Sequence, residues 1–132
     1  MRTNIDIGTA KGAYTSLVIA GDIGFVAGQG GLDESSSVVP GGIEAETATA
    51  LGNLERVLAE VDATLADVVS MTCYLADLDD WAAMDAAYRR YFGDRALPAR
   101  TAVGVAALPF GLRVEITATA YLPGGRGGGR LR

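Results

Sequence analysis

The sequence predicts a two-layer α/β (α+β) sandwich, a mixed sheet with two helices on one of its faces. Three observations lead there. Apolar residues recur at helical spacing in two stretches, they alternate at strand spacing in five or six others, and the stretches follow the order β-β-β-α-β-α-β-β. Two helices are too few to cover both faces of such a sheet, so the opposite face is expected to stay bare in a single chain.

Asn4–Ile7 and Tyr14–Ala20 read as strands, and Ile23–Ala27 follows the turn Gly21-Asp22 as the second half of a hairpin. Residues 28–40 carry the Gly and Ser of a loop, with Asp33 and Glu34 inside it. From Gly42 to about Val61, Ile43, Thr47, Leu51, Leu54, Leu58 and Val61 recur every three or four positions and define one buried helical stripe. Asp67–Ala76 is β-branched and apolar enough for a central strand, and Asp79–Phe92 is a second amphipathic helix carrying Trp81, Met84, Tyr88 and Tyr91. Past Leu97-Pro98, Arg100–Ala106 and Leu112–Tyr121 read as two strands joined across Leu108-Pro109-Phe110-Gly111.

Strand parity sorts these side chains onto faces. Leu112, Val114, Ile116, Ala118 and Ala120 form an apolar face, and Glu115 lies on the other. In the preceding strand Thr101, Val103 and Val105 match the core side, which sets Arg100, Ala102 and Gly104 on the open side beside Glu115. The expectation is a charged pair next to a hollow, where a ligand or a neighbouring subunit fits. The same parity places Cys73 with Val69, Met71 and Leu75 under the helices, as an inert thiol.

The 132 residues suffice for one domain, read as 1–123, followed by a Gly/Arg-rich tail at 124–132. The net charge is −5, and setting aside the three arginines of the tail leaves a body at −8. Such a surface argues against nucleic-acid binding. There is no histidine and one cysteine, so no metal site, internal disulfide or histidine base is expected, and catalysis falls to carboxylates, arginine, tyrosine, backbone groups and water. No stretch is long and apolar enough for a membrane span or a secretion signal, so a cytoplasmic protein is expected. The cluster Gly28-Gln29-Gly30-Gly31 lacks the spacing of a dinucleotide or phosphate loop and reads as a turn.

The segments Pro98-Ala99-Arg100, Ala107-Leu108-Pro109 and Val114-Glu115-Ile116 resemble, in order and spacing, the C-terminal signature of the RidA (YjgF) family. Val26-Ala27-Gly28-Gln29, residues 63–69, residues 73–78 and Tyr88-Arg89-Arg90-Tyr91-Phe92 extend the resemblance over about Gly12 to Leu122. It implies a fold like that of the small trimeric chorismate mutases, a homotrimer with its sites in the clefts between subunits, and cofactor-free hydrolysis of reactive imines or enamines to 2-keto acids and ammonia. By the same resemblance Arg100 binds the substrate carboxylate, Glu115 holds the attacking water, Tyr14 contacts substrate, and the backbone at Ala27, Gly28 and Ala102 lines the pocket. Ala13, Ala27, Asp85, Thr101 and Gly104 depart from the commonest pattern, and the losses at Ala27 and Gly104 suggest a substrate bulkier than 2-aminoacrylate. A pathway-specific enzyme acting on one biosynthetic intermediate, or a keto-acid-binding trimer without turnover, remain as alternatives.

Overall fold

The computed structural model describes residues 2–7 and 12–125, so the tail from 126 onward lies outside the described residues. Strands β1 (Arg2–Ile5), β2 (Leu17–Ala20), β3 (Ile23–Gly30), β4 (Val68–Leu75), β5 (Ala99–Gly104) and β6 (Val114–Tyr121) form one sheet in the order β1-β2-β3-β6-β4-β5. Helices α1 (Gly42–Ala59) and α2 (Trp81–Phe92) pack against each other and on one face of it. Only β4 and β5 pair in parallel, as they must when α2 carries the chain back between them. The expected element order therefore holds, and the sheet is mixed.

The helical stripe of α1 buries Ile43, Thr47, Leu51, Leu54, Val57 and Leu58 against the sheet. Those side chains meet Leu17, Val26, Met71, Leu75, Val114 and Ile116, together with Met84, Tyr88 and Phe92 of α2. Each large apolar side chain so buried contributes about 1.5–3 kcal/mol of transfer free energy, which fixes which face of every strand points inward. Thr64 and Asp67 cap the short turn before β4 reciprocally: Asp67 Oδ2 accepts the Thr64 N–H at 2.9 Å, while Thr64 Oγ1 accepts the Ala66 N–H at 3.2 Å. Among the described residues no helix is long and apolar enough to cross a membrane.

Two bulges correct the parity reading. In β4 the register steps from Val68↔Ala120 to Ser70↔Thr119, so Val69 is an extra residue; it turns outward and is half exposed, not grouped with Met71, Cys73 and Leu75 under the helices. In β3 the register moves from Val26↔Ala118 to Gln29↔Ile116, inserting a residue at Ala27-Gly28. This second bulge extends the strand to Gly30, where the composition had suggested a loop. Tyr14 lies outside β2, which begins at Leu17.

A larger correction concerns β5. Arg100 is in register with Met71 and Ala102 with Cys73, both of which face the helices, whereas Thr101 and Val103 align with Thr72 and Tyr74 on the open face. The expected assignment is inverted. Alternation showed which residues of this edge strand are apolar, but an apolar face can be one that helices leave uncovered, and Val103 is 37% exposed. Phe25 and Tyr121, on the same bare face, are about half exposed as well.

Candidate active site

The β3 bulge creates the first half of the site. It brings Gly28 against Glu115 of β6 so closely that a Cβ at position 28 would stand 2.8 Å from the Glu115 Cδ and 3.1 Å from its Oε1. Only glycine leaves the carboxylate room to rest on the strand backbone. Beside it opens a cleft of about 480 Å³ lined by Tyr14, Ser16, Gly28, Phe110 and Glu115, with Asn53, Arg56 and Glu60 of the α1 end. Ala27 sits at the bulge, its N–H donating to the Ser16 carbonyl at 2.9 Å and its carbonyl accepting from Gln29 Nε2 at 3.1 Å.

Sequence reasoning missed several contributors to this cleft, Asn53 and Phe110 among them. Asn53 Nδ2 donates to the carbonyls of Gly30 and Leu32, at 2.9 and 3.0 Å, and its Oδ1 accepts from Arg56 Nη2 at 2.7 Å. It ties the segment after the bulge to α1. Phe110, 59% exposed, holds a left-handed backbone at φ 64° in the turn before β6 and forms part of the cleft wall. An aromatic residue in that conformation is costly enough to suggest a local purpose.

Arg100 occupies a different place. Its Nη2 lies 2.9 Å from Asp85 Oδ1 on α2, and its guanidinium stacks over the rings of Tyr88 (4.7 Å) and Trp81 (5.5 Å). Ala102, partly buried, follows on the same side. Glu115 pairs through Tyr74 with the row of Val103, three residues farther along β5, and β4 stands between the two strands. Arg100 is thus roughly 10 Å across the sheet from Glu115, a similar distance along it, and on the opposite face. Within one chain Tyr14, Gly28 and Glu115 come together; Arg100 and Ala102 do not join them.

Burial pushes the Cys73 thiol up to about 11, with Arg100 opposing and Asp85 reinforcing the rise, and it pushes the Tyr88 hydroxyl to about 12. Neither group ionises near neutral pH, and Tyr88 Oη spends its proton on the Met71 sulfur at 3.3 Å. Among the described residues there is no group of three or more His, Cys, Asp or Glu side chains able to hold a metal ion.

An antiparallel-dominated six-stranded sheet with two helices on one face, a bulge that seats a carboxylate on glycine backbone, and an arginine on the parallel edge strand define a small α+β protein with a cleft of mixed polar and apolar lining. The sequence model of the family described as Endoribonuclease L-PSP matches residues 6–122. A 2-iminobutanoate/2-iminopropanoate deaminase of Rattus norvegicus is 43% identical over 112 residues, covering 84% of this chain and 81% of that protein. Among solved structures, YyfA of Yersinia pestis, described as a member of the conserved Rid protein family, superposes with a TM-score of 0.86 at 27% identity, covering 92% of this chain and all of its own. TdcF of E. coli with bound serine gives a TM-score of 0.79 at 27% identity over 85% of this chain and 90% of its own. The chain belongs to the RidA (YjgF) family, also described as endoribonuclease L-PSP.

Proposed function

We propose that the protein hydrolyses 2-imino acids, and the enamines that tautomerise to them, to 2-keto acids and ammonia, at sites built between neighbouring copies of the chain in a homotrimer. The observation that carries this reading is the division of the site. A cleft with a seated carboxylate lies at one end of the sheet, and a pinned guanidinium lies at the other on the opposite face. A closed three-fold ring brings two different patches of neighbouring copies together at each interface, which is what two separated halves require. The exposed Phe25, Tyr121 and Val103 on the bare sheet face support association there.

In such a site the Arg100 guanidinium holds the substrate carboxylate through charge-assisted hydrogen bonds. Glu115 takes a proton from a water whose oxygen attacks the imine carbon, forming the carbon–oxygen bond of a carbinolamine. The nitrogen receives that proton; as the carbon–nitrogen bond then breaks, the carbinolamine hydroxyl gives its own proton to the departing nitrogen and becomes the carbonyl, so ammonia leaves, the keto acid remains, and the reaction consumes one water and no cofactor. Little more than placement is needed, because an imine carbon is already electrophilic. The activity named for the mammalian relative and the serine bound to the E. coli relative, an amino acid with its own carboxylate, support this substrate class. The wall at Phe110 supports an apolar side chain on the imino acid, larger than that of 2-aminoacrylate.

The test measures ammonia and keto acid released from imino acids generated in situ by an amino-acid oxidase. Turnover that falls at least about 100-fold in Arg100→Ala is expected. A folded wild type that binds keto acids without releasing ammonia would replace this reading with a binding protein, and turnover fastest on the smallest imino acid would refute the larger substrate.

A further inference from the structure

Asp85 of α2 pairs directly with the Arg100 guanidinium. Its Oδ1 receives Nη2 of Arg100 at 2.9 Å, and both side chains are mostly shielded from solvent, 17% exposed for Arg100 and 24% for Asp85. The rings of Tyr88 and Trp81 lie against the guanidinium plane. Three contacts from one helix therefore fix the orientation of a side chain rooted on the edge strand, and they occupy part of its donor fork. A carboxylate that binds the remaining N–H groups comes within roughly 5–6 Å of the Asp85 carboxylate, since both accept from one planar cation.

We propose that Asp85 is a positioning residue that also sets specificity: it aims the Arg100 fork and, through its charge, favours ligands that pair a carboxylate with a cationic nitrogen over ligands that are purely anionic. This rests on the reading of Arg100 as the carboxylate anchor. A protonated imino acid is a zwitterion, so the repulsion between its carboxylate and Asp85 is offset by attraction to its nitrogen. The keto acid product carries only the carboxylate. Asp85 thus weakens the hold on product more than the hold on substrate, and product release gains from it. Its second cationic neighbour, Arg89 at 3.9 Å, is 71% exposed and too well solvated to cancel the charge. Cys73 and Tyr88, the titratable groups of the same chain packed around the guanidinium besides Asp85, stay protonated, so within the chain the negative charge beside it is that of Asp85. Glu115 of the neighbouring copy is common to wild type and both variants below and leaves the comparison between them unchanged.

Two substitutions in the full chain separate the roles. Asp85→Asn keeps an acceptor of the same shape and removes the charge; Asp85→Leu removes both, and leucine suits a helix interior. Pyruvate, the simplest keto acid, is titrated calorimetrically into each protein, and imine hydrolysis is followed alongside, with thermal melts to confirm folding. Asp85→Asn is expected to bind pyruvate about 5- to 10-fold more tightly than wild type, with a smaller change in KM for the imino acid. Asp85→Leu is expected to show kcat/KM at least about 10-fold below Asp85→Asn, because the two differ in the hydrogen bond that aims the guanidinium. Unchanged or weaker pyruvate binding in Asp85→Asn overturns the charge role, and equal kcat/KM in the two variants overturns the positioning role. If pyruvate binding and turnover both depend on Arg100 while the Asp85 variants match wild type, this inference fails alone. If pyruvate binding ignores Arg100 and no imine is hydrolysed, the anchor reading falls with it.

Discussion

Arg100 on β5 and Glu115 on β6 point to opposite faces of one sheet, with β4 running between them. No rotamer change brings a guanidinium through a hydrogen-bonded strand, so the function proposed above, in which both hold the substrate, requires a site between two chains. Arg100→Ala and Glu115→Gln are each expected to lose most imine hydrolysis. Denatured together in equal amounts and refolded, they should regain about a quarter of wild-type activity, the fraction of interfaces that random mixing leaves with both residues intact. Recovery of nothing would place the two residues in one chain's site or in none.

The contact of Gly28 with Glu115 gives a second prediction. A methyl group on residue 28 collides with the end of a flexible side chain, so the fold accommodates it while the carboxylate swings aside. Gly28→Ala should therefore lower kcat at least about 10-fold, since misplacement by about 1 Å is enough for such losses, with a thermal midpoint near that of wild type. A large drop in the midpoint would show that the strand, not the carboxylate, had moved.

Asn53 acts on stability. Its amide satisfies two backbone carbonyls of the segment following the bulge, and Asn53→Ala leaves both without that donor. A loss of about 1–2 kcal/mol in urea unfolding is expected.

Alkaline pH should unfold the protein. The Cys73 thiol rises from 9.0 to about 11 and the Tyr88 and Tyr91 hydroxyls from 10.0 to about 12, each first through burial and Tyr91 also through its hydrogen bond to the Glu55 carboxylate. Each is an acid whose folded form keeps its proton longer than the unfolded chain does. Their contribution is therefore complete below about pH 9 and is lost as pH rises through about 11 to 12. Thermal midpoints measured from pH 7 to 11 should fall beyond pH 9, and Cys73→Ala should delay the onset to about pH 10.

The bare sheet face carries the last prediction. Phe25 is half exposed and aligned with Thr119, away from the core, so Phe25→Asp should leave the monomer folded. Sedimentation is expected to show the proposed homotrimer in the wild type and its loss in Phe25→Asp, because burying an aspartate at an apolar interface without a partner is costly. An unchanged mass would exclude this face as the interface.

The sequence by itself determined the element order, the helical stripe of α1, the hairpin at Gly21-Asp22 and the inward row of β6, because each follows from a local period and one buried face. It also carried the Arg100 and Glu115 segments that mark the family. It did not determine on which side of the sheet Arg100 lies, nor that Asp85 pairs with Arg100 and that Asn53 and Phe110 line the cleft beside Glu115. Those facts depend on long-range register and on two inserted residues, at Val69 and at Ala27-Gly28, each of which shifts the alternation of its strand by one. At the edge strand alternation alone reads equally well in either direction, since an apolar face awaiting a partner and one covered by helices have the same composition. Only the packing of α2 over Arg100 decided between them.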